Sequence, residues 1–223
     1  MSFLLGLLAA RGVSALLGTL LLATRAGPGF AGPVLTVRGD SVWLETELVR
    51  GFDRPLVQIL ESGSMVAVSY TVIVLTHGQD GRVSARDTVG FFHSAVYEPS
   101  VHSFTTYCSE QEPRTDTAGE CSPQSHQSTR GFGSGSLESS CLPGGSLRVG
   151  LTRQAALEKL VRVKVALGPL GRYRGQRAVS ARIEAALNTI ELEAMNRQEL
   201  DLNAFWHFRY PRAATAWLRL EER

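Results

Sequence analysis

Lysine is almost missing from this chain of 223 residues: it occurs only at Lys159 and Lys164. The rest of the positive charge is arginine, and acid nearly cancels it. The apolar N-terminal segment holds Arg11 and Arg25 and no acid, so without it the 23 basic residues fall level with the 21 acidic ones. A net charge near zero argues against nucleic acid and anionic membrane as general partners. Catalytic signatures are missing too. The histidines, His77, His93, His102, His126 and His207, never stand in an H-E-x-x-H spacing. No G-x-S-x-G elbow occurs, and "GFGSGS" lacks the lysine and following helix of a phosphate loop. No cysteine precedes Cys108, so a lipid anchor on an N-terminal cysteine is not expected. The sequence therefore names no catalytic residue, no cofactor and no metal centre.

What is present begins with that N-terminal segment. "FLLGLLAA", Arg11 and "GVSALLGTLLLAT" run into "RAGPGFAGP". An apolar stretch followed by small residues is the layout of a secretory signal. Residues 1–31 are expected to be the signal peptide, cut after Ala31 with Gly29 and Ala31 as the small residues. The alternative is a retained N-terminal anchor. The uninterrupted apolar run after Arg11 is about a dozen residues, short of the roughly 20 that a spanning helix needs. No later segment is apolar enough to span, so the mature chain has no transmembrane helix once the signal is removed. The expected location is the periplasm or cell envelope, with the cell surface left open.

Residues 32–223 suit one β-rich domain with a real core. "VLTV" and "SVWLETELV" flank Arg38, Gly39 and Asp40, which reads as a β-hairpin. The second run puts Val42, Leu44, Thr46 and Leu48 on one face. "FDRPLVQILESG" is a short helix with Asp53 as cap, Pro55 in the first turn and Gly63 beyond the end. "SMVAVSYTVIVL" is a strand with Val66, Val68, Tyr70, Val72 and Val74 on one face; its apolar second face predicts cover on both sides. Val89, Phe91, Ala95 and Tyr97 mark the next strand. It ends at a corner at Glu98 and Pro99 and returns through "SVHSFTTYC". Residues 109–146 are rich in Ser, Gly, Thr and Pro and read as a long disordered insertion. "LTRQAALEKLV" is a helix capped by Thr152, "VRVKVAL" a strand, and "RAVSARIEAALNTIELEA" a long strand despite its Ala and Glu. The sum is a mainly β, antiparallel sandwich-like domain with two short helices, an α+β arrangement being close to it. A small outer-membrane barrel would need about eight strands of roughly ten residues, and too few runs reach that length.

Three blocks resemble a family of secreted bacterial proteins, the domain of unknown function 4390. They are "ILESGSMVAVSYTVIVL", "FFHSAVYEPSVHSFTTYC", and "RAVSARIEAALNTIEL" leading into "LNAFWHF". The chain departs from the family pattern at Glu98, where the corner usually carries Asp, and in its long insertion. The resemblance implies export, a single domain and no assigned activity; it brings no functional residues.

The remaining candidates are few. Arg38, Gly39 and Asp40 form the tetrapeptide of an adhesion signal with Ser41, but Gly-Asp is also what a hairpin turn selects. His93 and His102 bracket the Glu98 corner and would make a metal or proton-transfer site only if adjacent strands brought them together. Cys108, Cys121, His126 and Cys141 can be written as a zinc set but lack a C-x-x-C; a loop disulfide with one spare thiol fits better. Trp43, Trp206, Trp217, Phe205 and Phe208 are candidates for a ligand groove or for sheet cover. The expected function is a non-catalytic envelope domain that binds another envelope protein through an exposed sheet edge. A surface adhesin and a metal-dependent or metal-binding protein are the alternatives.

Overall fold

The structure, a computed structural model, describes residues 27–111, 146–192 and 198–220. Its architecture is two antiparallel sheets with two helices. The smaller sheet has the order β1-β2-β7, from β1 (Gly29–Arg38), β2 (Ser41–Val49) and β7 (Arg162–Pro169). The larger runs β11-β8-β3-β4-β5-β6, with β12 also on β8. Its long members are β3 (Val66–Gly78), β4 (Val83–Glu98) and β8 (Gln176–Leu187). Beyond them lie β5 (Ser103–Gln111) and β6 (Ser146–Leu151) on one side, and β11 (Arg212–Ala214) and β12 (Leu218–Arg219) on the other. A small ribbon of β9 (Thr189–Leu192) and β10 (Gln198–Asp201) extends from the end of β8. Neither sheet closes into a barrel. Among the described residues no helix is long and apolar enough to cross a membrane.

Period-two patterning explains the core. β2 buries Val42, Leu44, Thr46 and Leu48, as its alternation requires. The inner face of β3 buries Val66, Val68, Tyr70, Val72 and Val74. β8 adds Val179, Ala181, Ile183, Ala185 and Leu187 beside it. The Ala-rich, Glu-containing segment is thus a strand, because its apolar residues fall at every second position and not every third or fourth. β3 lies between β8 and β4, central as expected. Cover on both sides is corrected: Thr71 is exposed and Ala67, Ser69, Ile73 and Leu75 are only half-buried, so the outer face of the large sheet faces water.

Helix α1 (Arg54–Glu61) is set by Asp53, whose Oδ1 accepts the Leu56 N–H at 3.2 Å. Helix α2 (Arg153–Val161) is set by Thr152, whose Oγ1 accepts the Ala155 N–H at 3.3 Å. Leu56 and Leu60 of α1, and Ala156 and Leu160 of α2, point into the core. The Tyr70 hydroxyl donates to the Leu160 carbonyl at 2.6 Å, which ties β3 to the last turn of α2 and satisfies a carbonyl the helix leaves open. Trp206 is buried and donates from Nε1 to the Gly51 carbonyl at 2.7 Å.

Strands from both sides of the Ser/Gly-rich stretch share one sheet, since β3 pairs with β8 and β5 with β6. The stretch connects two neighbouring strands. Its ends are shorter than expected: Ser109–Gln111 belong to β5 and Ser146 to β6, and residues 112–145 lie outside those described. The other end of the chain also bears on the expected boundaries. Gly29, Phe30 and Ala31 pair with Val49, Leu48 and Glu47. The Phe30 ring sits 6.3 Å from that of Tyr70, and the Ala31 carbonyl accepts the Thr46 hydroxyl at 3.0 Å. A cut after Ala31 therefore falls inside β1 and would remove a residue that packs on the core.

Candidate functional site

Arg38, Gly39 and Asp40 form the tip of the β1–β2 hairpin, with Arg38 opposite Ser41 and Gly39 and Asp40 as the two turn residues. Gly39 has φ +59°, and Asp40 is not among the residues at positive φ. Positive φ at the first turn position alone is the pattern of a type II′ turn, which selects glycine there. The Asp40 carbonyl accepts the Leu170 N–H at 2.7 Å, so the turn is tied to the segment after β7. The Arg38 guanidinium lies 2.5 Å from the Glu45 carboxylate, back along the strands. This geometry accounts for each residue as part of a turn.

His93 and His102 are not brought together. Inward positions on this part of β4 are the odd ones, so His93 falls between Phe91 and Ala95 and is buried. Its ring lies 5.2 Å from Tyr70 and 5.6 Å from Phe91. Burial pushes its pKa down to about 4, against the upward pull of the Leu160 and Lys159 carbonyls. The imidazole is neutral at pH 7. His102 sits in the β4–β5 turn, exposed, where it meets the Tyr97 hydroxyl at 3.1 Å. Glu98 lies five positions along β4 from His93, or about 17 Å of strand. Among the described residues no group of three or more His, Cys, Asp or Glu is placed to hold a metal. Cys108 is disulfide-bonded; Cys121, His126 and Cys141 lie outside the described residues.

The aromatic candidates scatter. Trp206 is core, Trp43 lies under the Lys164 ammonium at 5.8 Å, and Phe208 and Trp217 are exposed in different segments. They do not line a common groove.

The surface with the clearest capacity to bind is the β6 edge of the large sheet. β6 ends the strand order, so one side of it has no strand neighbour among the described residues. Its outward residues, Leu147 and Val149, are 65% and 54% exposed. Leu147 pairs with Tyr107 of β5, itself exposed, and the Tyr107 ring lies 5.7 Å from that of Phe92 on β4. An apolar strip thus runs from the free edge across three strands. Gly150 has φ +73° where the β5–β6 register shifts, a bulge that turns the end of the strand. The other edges are guarded. β11 and β12 are very short, β1 carries Pro33 and lies against β11, and β7 carries Arg162 and Lys164. The run "SLRVGL" was hidden from sequence reading because it follows directly on the polar stretch. Its only sign was Leu147 and Val149 at alternate positions.

No family model, no curated protein and no solved structure matches this chain.

Proposed function

We propose that this chain is an exported, non-catalytic β-domain of the cell envelope that binds a partner protein by accepting an extended segment along β6. One observation carries the reading: a free strand edge whose outward side chains, Leu147 and Val149, are apolar and exposed. Main-chain hydrogen bonds to such an edge supply affinity, and the side chains beside it supply selectivity. Export is supported by the apolar N-terminal segment with its small residues and by the disulfide at Cys108, which suits an oxidising compartment. The partner is then another envelope protein.

The test is a photo-crosslinking residue at Val149 in the cells that export the protein, with one at the exposed Arg174 as control. The expected result is a discrete adduct from position 149 that is lost when Leu147→Asp is added. Adducts no stronger at 149 than at 174 would refute the edge as the binding surface.

A further inference from the structure

At the opposite edge of the large sheet the outer face holds a groove of about 540 Å³, lined by His77, Val83, Arg177, Ala178, Trp217 and Arg219. The register explains how these residues meet. Val83, His77, Ala178 and Arg219 lie in one row across β4, β3, β8 and β12. Trp217 immediately precedes β12 and is 44% exposed, with its ring 5.8 Å from that of His77. Arg177 is the extra residue where the β3–β8 register shifts, since His77 pairs with Ala178 and Gly78 with Gln176. A bulge re-aims the side chain it displaces.

The charges in this groove are of one sign. Among the described residues neither Arg177 nor Arg219 has a carboxylate partner. The acid in the adjoining β3–β4 turn, Asp80, is held by the N–H and guanidinium of Arg82. His77 is oriented by donating from Nε2 to the Gly81 carbonyl at 3.1 Å. Both arginines line the one groove, and a bound anion supplies the counter-charge that no described residue gives them. The walls, Trp217, Val83 and Ala178, are apolar, and the volume is that of a small-molecule site.

We propose that this groove binds a small amphipathic anion, a phosphate or carboxylate carried on an apolar body. The two arginines fork onto the oxyanion, and the apolar body lies along Trp217 and Val83. This site is separate from the β6 edge and does not rest on it.

Trp217 is a built-in reporter. Its fluorescence is followed while octyl phosphate is added as monomer, with Trp217→Phe identifying the signal. The expected result is a saturable change, weakened at least ten-fold in Arg177→Gln/Arg219→Gln, whose circular dichroism matches the parent. Inorganic phosphate and octanol should each bind at least ten-fold more weakly than octyl phosphate, because each offers only half of the recognition. Octanol as tight as octyl phosphate, or a double variant that binds unchanged, would overturn the proposal. So would a response only to phosphatidylglycerol vesicles, which would make the groove a membrane contact and not a small-molecule site.

Discussion

Lowering the pH from 7 to 5 adds a proton to His93 in the unfolded chain but not in the folded one. Folded, the imidazole is buried against Tyr70 and Phe91 with a pKa of about 4; its ordinary value is 6.5. The unfolded state binds more protons throughout that window. Stability is therefore full above about pH 6.5 and is lost as the pH falls toward 4. The linkage integral gives a loss of about 2 kcal/mol between pH 7 and pH 5, and about 3 kcal/mol by pH 4. For a domain this size that is a large share of the total. The assay is urea unfolding at pH 7, 6 and 5 on the parent and on His93→Gln, which keeps a polar side chain and cannot titrate. The variant starts from its own stability at pH 7, but its loss on going to pH 5 should be smaller by about 2 kcal/mol. Every other titrating group cancels in that comparison. Parallel curves for the two proteins would refute the reasoning, as would an imidazole titration placing His93 above about pH 6 in the folded state.

Two further outcomes test the ends of β1. Gly39→Ala should cost about 1 kcal/mol in urea unfolding, because φ +59° strains any residue with a Cβ although nothing crowds the site; Asp40→Glu should leave attachment to integrin-bearing cells unchanged. A chain starting at Gly32 should be less stable than one starting at Gly27 by about 2 kcal/mol, from the lost Phe30 packing and the Thr46 hydrogen bond; equal urea midpoints would show that the first residues of β1 contribute nothing.

The elements that sequence reading found are those whose signal is local. Asp53, Pro55 and Thr152 cap or open helices by chemistry within one turn, and β2, β3 and β8 declare themselves by alternation. What it missed depends on partners far along the chain. His93 sits in the same alternating run as Phe91 and Ala95, so its inward direction was available from period two; its place beneath α2 was not, because that contact joins residues more than sixty positions apart. The Phe30 contact with Tyr70 joins residues forty positions apart, and the small-residue spacing around Ala31 carries no information about it. Glycine and arginine at the hairpin tip were legible as a turn, whereas the salt bridge from Arg38 to Glu45 needed the register. The groove was illegible for the same reason: Trp217 and Arg219 meet His77 only because β12 and β3 flank β8.

An antiparallel sheet with one face in a core usually turns polar and charged residues to water on the other. The outer face of the large sheet is graded instead. At its centre β3 presents Ala67, Ser69, Thr71 and Ile73, and the adjoining part of β8 supplies Arg182 and Glu184, the latter held by Arg212 at 2.8 Å. Toward β6 the face becomes apolar, through Phe92, Tyr107 and Leu147; toward β12 it becomes cationic, through Arg177 and Arg219. Solvation alone does not select the apolar trend, since water favours charge at that end, whereas the exposed arginines at the other end are what it selects. β6 and β12 are five strand spacings apart, about 24 Å, and the groove reaches no nearer to β6 than Val83 on β4. A segment laid along β6 therefore leaves the groove open, and a ligand in the groove leaves the edge free. Substitutions at Leu147 and Arg219 should then act on separate measurements, the first on crosslinking and the second on Trp217 fluorescence. Coupling between them would require the intervening strands to shift, and β3 is held against that by paired neighbours on both sides and by the Tyr70 hydrogen bond to α2.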